Sequence, residues 1–213
     1  MAAQEGKSIS EASLIAAARK GDHRAFGELV RRYEDTVYRF AFKLCRDREK
    51  AEETYQDTFI NVFRKLDTFD GKSKFSTWLY TIVTNNCLMK HRQAGRRAIE
   101  ESLEALDDPS SMPGGRFPSP IVHWDDTPVN RLLDKELRTH LELAIQKLPP
   151  DYRVVFTLRD IEGKSTQETA AVVGITEEAT KSRLRRARAF LRRELDPYMS
   201  AKERSKLPKG VRK

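Results

Sequence analysis

STQETAAVVGITEEATKSRLRRARAFLRREL, residues 165–195, holds two helical patterns on either side of a single glycine. Ser165 and Glu168 have capping-box spacing, which starts a helix at Thr166. Ala170, Ala171 and Val173 give that helix a small apolar face. Gly174 supplies the positive φ of a sharp turn. Ile175 can plug the corner, and the Thr176 hydroxyl can cap a second helix. The layout is a helix-turn-helix: small residues let the first helix pack closely while the second protrudes toward a major groove. On the second helix Leu184, Ala187 and Leu191 face inward, whereas Lys181, Ser182, Arg185 and Arg186 lie largely on other faces. Arginine can hold guanine edges bidentately, and lysine or serine can reach bases or phosphates. Residues 177–195 carry seven basic side chains against three acids. A charged helix face alone would be ordinary solvated surface; joined to a capped glycine turn, it points to DNA. Thr176, Lys181, Ser182, Arg183, Arg185 and Arg186 are therefore assigned to duplex binding.

Upstream, the same helical period continues. Leu133, Leu137, Leu141, Ala144, Ile145 and Leu148 form one stripe, ended by Pro149-Pro150. Asp151 is placed to cap the next helix, which carries Val154, Val155, Leu158 and Ile161 and stops at Gly163. Nearer the start of the chain, Phe26, Leu29, Val30, Tyr33, Val37, Phe40, Ala41 and Leu44 follow the break at Gly21-Asp22. Ala51, Tyr55, Phe59, Val62, Phe63 and Leu66 make the next stripe, and Asp70-Gly71 a turn. Phe75, Trp78, Leu79, Ile82, Val83 and Met89 make the third, with Ser76 as its cap. A further helix fits residues 9–20. No alternating strand pattern competes, so the fold class is all-α: a three- to four-helix bundle, then a helix-turn-helix domain.

Between them, residues 98–128 hold five prolines, a Gly-Gly pair and seven acids against one arginine. That composition reads as a flexible acidic linker. The resulting division is 10–97 for the bundle, 98–129 for the linker and 130–198 for the helix-turn-helix domain. A basic, non-periodic tail, 199–213, follows Pro197.

The whole chain of 213 residues is 38% hydrophobic and 34% charged, with a net charge of +8. The regular apolar spacing argues for folded domains, and the surplus of cations for a polyanionic partner. No apolar run approaches the ~18 residues of a membrane span, and the N-terminal stretch lacks a signal-peptide core. Cys45 and Cys87 are isolated thiols without metal-ligand spacing, in keeping with reduced core residues and a cytoplasmic setting. His23, His91, His123 and His140 are scattered, and no phosphate-cradling glycine loop occurs. An enzyme, a metal site, a cofactor and a small-molecule substrate are not expected.

A second basic cluster lies far from the first. FSTWLYTIVTNNCLMKHRQAGRR, residues 75–97, sets Trp78 and Tyr80 near the amides of Asn85 and Asn86, with Lys90, Arg92, Arg96 and Arg97 below. Amides can bond a base edge, aromatics can stack on an unstacked base, and cations collect phosphates. Trp78 also fits the packed stripe of its helix.

This segment, with FDGK and SK before it, resembles the promoter-melting segment of bacterial sigma factors of the extracytoplasmic-function type, in the sigma-70 family. AEETYQDTFINVFRKLDTF resembles that family's preceding helix, and LPPDYRVVFTLRDIEGKSTQETAAVVGITEEATKSRLRRAR its C-terminal domain. The likeness covers about residues 10–97 and 130–195. It implies a two-domain initiation factor that binds core RNA polymerase, reads the −10 element as melted single strand and reads the −35 element as duplex. Asn85 matches the family position that contacts a flipped-out base, and Lys90, Arg92, Arg96 and Arg97 its phosphate-holding stretch. Glu53, Gln56, Asp57 and Asn61 fall on the helix that in the family grips the coiled coil of the largest polymerase subunit. The resemblance further implies contact with the polymerase flap, threading of the acidic linker through the nucleic-acid channels, and, for many members, an anti-sigma protein. The chain departs from the family at Glu178, Ala179 and Thr180 in the recognition helix, and at Tyr55, Thr81 and Met89, positions that bear on promoter sequence and affinity. The competing class is a stand-alone duplex-binding regulator, which would need a dimer interface; no heptad run or spare apolar face supplies one.

Overall fold

The structure, a computed structural model, describes residues 9–93 and 135–206. Those residues form eight α-helices and no strand. The chain divides into two compact units, Met1–Cys87 and Leu88–Lys213. The expected linker, 98–129, lies outside the described residues, as do Leu133, Arg96 and Arg97.

In the first unit, α1 (Glu11–Arg19) is capped by Ser10, whose Oγ accepts from the Ser13 amide. Gly21 turns the chain with φ 89°. Asp22 then caps α2 (His23–Cys45), accepting the amides of Arg24 and Ala25, as the Gly-Asp pair predicts. The Tyr33 hydroxyl donates a short hydrogen bond to Glu11 and so fastens α2 to α1. Asp47 caps α3 (Arg48–Lys65). A 3₁₀ turn over Leu66–Thr68 follows, and α4 spans Phe75–Gln93. Leu29, Val37, Phe40, Leu44, Val62 and Val83 are fully buried in this bundle.

Three expectations need correction here. The stripe that α3 buries is Ala51, Thr54, Thr58 and Val62. Tyr55 and Phe59 are only half-buried, and Phe63 is 54% exposed. Threonine tolerates this burial because its hydroxyl can bond back to the preceding turn: Thr58 Oγ1 donates to the Thr54 carbonyl at 2.7 Å. The displaced aromatics run along the flank instead, with Tyr55 against Tyr38 and Phe59, and Phe63 edge-on to Phe26. Met89 is exposed rather than part of the α4 stripe. Ser76 does not cap α4, because the Thr77 and Trp78 amides bond to the Lys74 carbonyl and leave Ser76 inside the first turn.

The second unit contains α5 (Lys135–Lys147), α6 (Pro150–Phe156) with a π-helical turn over Thr157–Ile161, α7 (Thr166–Val173) and α8 (Glu177–Lys206). Asp151 is not a cap: α6 starts from Pro149 without a side-chain bond. Pro150 at the first helical position has no N–H to satisfy and a preset φ, so the helix can start unaided. Leu141, Ile145, Leu148, Val155, Phe156, Leu184, Ala187, Phe190 and Leu191 form one apolar core. The helix runs through Pro197 to Lys206, so residues 199–206 of the expected irregular tail are helical. A proline forfeits one amide and crowds the carbonyl four residues back; α8 accepts that near its end. Residues 207–213 lie outside the described residues.

Candidate nucleic-acid interface

The helix-turn-helix is built by local bonds. Ser165 Oγ accepts the Glu168 amide at 3.0 Å, and Glu168 Oε2 accepts the Ser165 amide at 2.8 Å. Gly174 adopts φ 73°, ψ 37°, and its amide returns to the Ala170 carbonyl; the Ile175 amide joins it there at 3.1 Å. A Cβ at Gly174 would meet nothing within 4 Å, so the requirement for glycine is conformational and not steric. Ile175 packs on the core. Thr176 Oγ1 accepts the Ala179 amide at 3.1 Å and thereby caps α8. Thr180, at a position usually aliphatic in the resembled family, is buried because its hydroxyl donates to the Thr176 carbonyl at 2.9 Å.

Of the residues assigned to duplex DNA, Thr176, Lys181 and Arg185 are exposed, while Ser182, Arg183 and Arg186 are half-buried. Arg186 differs from the others: its Nη1 donates to the Tyr152 hydroxyl on α6 at 3.3 Å. Part of its guanidinium thus serves the fold. Arg188, in the same basic run, is half-buried and turned to a partner within the fold. Its Nε and Nη2 donate to both oxygens of Asp160 at 2.8 and 2.5 Å. Those bonds hold its pKa above the ordinary arginine value. Arg153, which no sequence pattern singles out, is buried on α6 and donates to the carbonyls of Ile145, Gln146 and Leu148. It closes the end of α5, whose last carbonyls lack helical partners.

On α4 the two neighbouring asparagines have different surroundings. Asn85 is exposed and Asn86 half-buried. The Asn86 amide is held from both ends: its Oδ1 accepts Asn61 Nδ2 at 3.0 Å, and its Nδ2 donates to Thr58 Oγ1 at 3.2 Å. Asn61 and Asn86, expected in two different interfaces, therefore meet each other across α3 and α4. Trp78 is half-buried, its ring 5.4 Å from Phe69 and 5.5 Å from Phe75. Tyr80 is buried, its ring edge-on to Phe40 at 4.4 Å. That placement corrects its expected stacking on a base, since the ring faces are taken by the bundle. Lys90 and Arg92 lie on the last turns of α4.

The α3 residues expected to meet polymerase fall at helical spacing: Glu53 and Gln56 are exposed, Asp57 and Asn61 half-buried. Exposed Ile60 lies beside them. The face thus combines acid, amide and apolar surface. Among the described residues no group of His, Cys, Asp or Glu is arranged to hold a metal, and no helix is long and apolar enough to cross a membrane.

Comparison with known proteins agrees with this architecture. Residues 29–97 match the family described as Sigma-70 region 2, and residues 138–191 match Sigma-70, region 4. The ECF RNA polymerase sigma-E factor of Escherichia coli K12 is 30% identical over 191 residues, covering 90% of this chain and 97% of that protein. The protein of the same name in Haemophilus influenzae is likewise 30% identical, with 98% of its length covered. Among solved structures, CnrH in complex with the cytosolic domain of CnrY aligns with a TM-score of 0.57 at 28% identity, over 86% of this chain and 96% of that one. The sigma factor RpoE of Bartonella quintana, in complex with the anti-sigma factor NepR, aligns with a TM-score of 0.55 at 25% identity, over 80% and 96%. With one helical unit matching region 2, the other matching region 4, and relatives that match along nearly their whole length, the chain belongs to the sigma-70 family, among the extracytoplasmic-function sigma factors of RNA polymerase.

Proposed function

We propose that the chain directs core RNA polymerase to promoters and opens them, with the first unit holding melted −10 DNA and the second holding duplex −35 DNA. The observation that carries this reading is the exposed amide of Asn85 on the same helix as Lys90 and Arg92, in a chain that also presents a capped recognition helix. Melting then uses no catalytic residue. An unstacked base is captured by Asn85, with the exposed edge of Trp78 flanking it, and released counterions favour the phosphate contacts of Lys90, Arg92, Arg96 and Arg97. Asn86 and Tyr80 act behind this surface: one fixes α4 to α3, the other packs α4 onto α2. Lys181, Arg185 and Ser182 read or hold the −35 duplex, joined by Arg183, Arg186 and the helix start at Thr176. Glu53, Gln56, Asp57 and the outer face of Asn61 dock on the coiled coil of the largest polymerase subunit, a contact in which acids and amides complement basic side chains. Once both elements are held on one polymerase, the second contact is effectively intramolecular, so modest individual affinities suffice. The domains divide as 10–97, 98–129 and 130–198, with α8 carrying on past 198 into the basic tail, 199–213. The structural relatives bound to CnrY and NepR support an anti-sigma partner for this chain as well.

The test is run-off transcription with sigma-free core polymerase and promoter fragments. Added protein should produce discrete transcripts, and the Asn85→Ala variant should lose strand opening more than closed-complex binding. A good amide contact to a base is worth about 1–3 kcal/mol, so opening should fall by about 5- to 150-fold. Equal permanganate reactivity of −10 thymines in variant and wild type would refute the role of Asn85. A shift of duplex by the free protein as strong as that by the polymerase complex would favour a stand-alone regulator.

A further inference from the structure

Cys45 and Cys87 are 42 residues apart in sequence, yet their sulfurs are 3.4 Å from one another. Neither cysteine is in a disulfide, and both are buried, at 8% and 2% exposure. Cys45 is the last residue of α2, and Cys87 lies in the body of α4. A disulfide needs the sulfurs at about 2.05 Å, so the gap to be closed is small. The end of α2 is where it can be closed. There Arg46 takes φ 55°, ψ 22° and sends its amide back to the Phe42 carbonyl, and a helix terminus adjusts more readily than a helix body. Thr54 Oγ1 of α3, 3.5 Å from Cys45 Sγ, gives the thiol a polar neighbour on its other side.

We propose that Cys45 and Cys87 form a reversible dithiol–disulfide site, closed by a hydroperoxide, that ties the end of α2 to α4 inside the first unit. Cys45, the less deeply buried residue of the two, attacks the peroxide: the O–O bond breaks, an alcohol or water leaves, and Cys45 becomes a sulfenic acid. The Cys87 sulfur then attacks the Cys45 sulfur, the S–O bond breaks and water leaves. Two thiols lose two electrons and two protons, and the peroxide gains them. A small external dithiol reverses the step by exchange. Contact between the sulfurs makes the second reaction intramolecular and fast relative to further oxidation of Cys45. The bond lies two residues from Asn85 but forms whether or not Asn85 binds DNA, so its test is independent of the promoter reading.

The experiment treats the reduced full-length protein with hydrogen peroxide under native conditions, then alkylates and digests it. The expected result is loss of both alkylatable thiols with a mass decrease of about 2 Da, the two hydrogens removed. A peptide joining residues 44–46 to residues 75–90 should appear and vanish on reduction. The oxidised bundle should also unfold at higher urea than the reduced one, because a cross-link restricts the unfolded chain. Cys87→Ser should abolish the joined peptide and leave Cys45 to proceed to sulfinic acid. Retention of both thiols, a disulfide between two copies of the chain, or a joined peptide that forms only in denaturant would each overturn the proposal.

Discussion

Replacing Asp160 by alanine removes the group that Arg188 grips with two hydrogen bonds. The Asp160 side chain is 1% exposed and that of Arg188 27%. Removing one member of a buried ion pair costs about 3–5 kcal/mol, because the other charge is stranded. Arg188 keeps a partial route to water, so part of that penalty is relieved, and the expected loss is about 2–3 kcal/mol. For a helical unit of this size each kcal/mol moves the thermal midpoint by about 4–8 °C, giving a drop of roughly 10–20 °C. Two units in one chain make a single global midpoint ambiguous. Native-state hydrogen exchange at amides 187–191 of α8 reads the second unit alone. A cycle of Asp160→Ala, Arg188→Ala and the double variant should give a coupling of about 1.5–2.5 kcal/mol. An apolar replacement of both, Asp160→Leu with Arg188→Met, should recover most of the stability, since neither member of the pair is then left as a stranded charge. If Asp160→Ala alone leaves exchange at those amides within about 0.5 kcal/mol of wild type, the pair does not anchor the recognition helix.

Lys181→Ala should leave stability unchanged, and both Lys181→Ala and Arg185→Ala should weaken −35 duplex binding in the polymerase complex. A base contact costs about 1–3 kcal/mol and alters sequence preference; a phosphate contact lowers the salt slope by about 1 without altering it. Titrations at several salt concentrations on matched and mutated −35 sites separate the two. Gly174→Ala should destabilise the second unit by about 1–2 kcal/mol, entirely through the positive φ, since the added Cβ meets nothing; Gly174→Asn, which tolerates that conformation, should cost less in the same urea melt. Asn86→Ala should cost the first unit about 1–3 kcal/mol by breaking two interhelical hydrogen bonds. Asn85→Ala should stay within about 0.5 kcal/mol of wild type, as hydrogen exchange in α3 and α4 can check.

What the sequence made readable was local. The Ser165–Glu168 box, the Gly174 turn, the Thr176 cap and the Gly21-Asp22 break each use partners within a few residues, and all occur in the structure. What it hid depends on partners far along the chain. Nothing near Arg188 in the sequence marks it as part of the fold, because its partner is a carboxylate 28 residues away. Tyr80 reads as a stacking residue until Phe40 is found against it. In α3, hydrophobicity favours Tyr55, Phe59 and Phe63 as the inner face, whereas Thr54 and Thr58 are the buried residues: the Thr58 hydroxyl bonds within its own helix and to Asn86, and the Thr54 hydroxyl meets Cys45 of α2.

The two asparagines carry this furthest. Adjacent residues on a helix point about 100° apart, so a neighbour that engages one amide necessarily leaves the other turned elsewhere. Once α3 takes the Asn86 amide through Asn61 and Thr58, Asn85 is directed to solvent by geometry alone. The same bonds stop α4 from rolling, which would carry Asn85 away from solvent. The base capture proposed for Asn85 would therefore depend on a hydrogen bond from Asn61, a residue on the face proposed to meet polymerase. An Asn61→Ala variant should for that reason weaken strand opening even where polymerase binding is saturated. Opening that returns fully to wild type at saturating protein would separate the two surfaces and leave Asn61 a docking residue only.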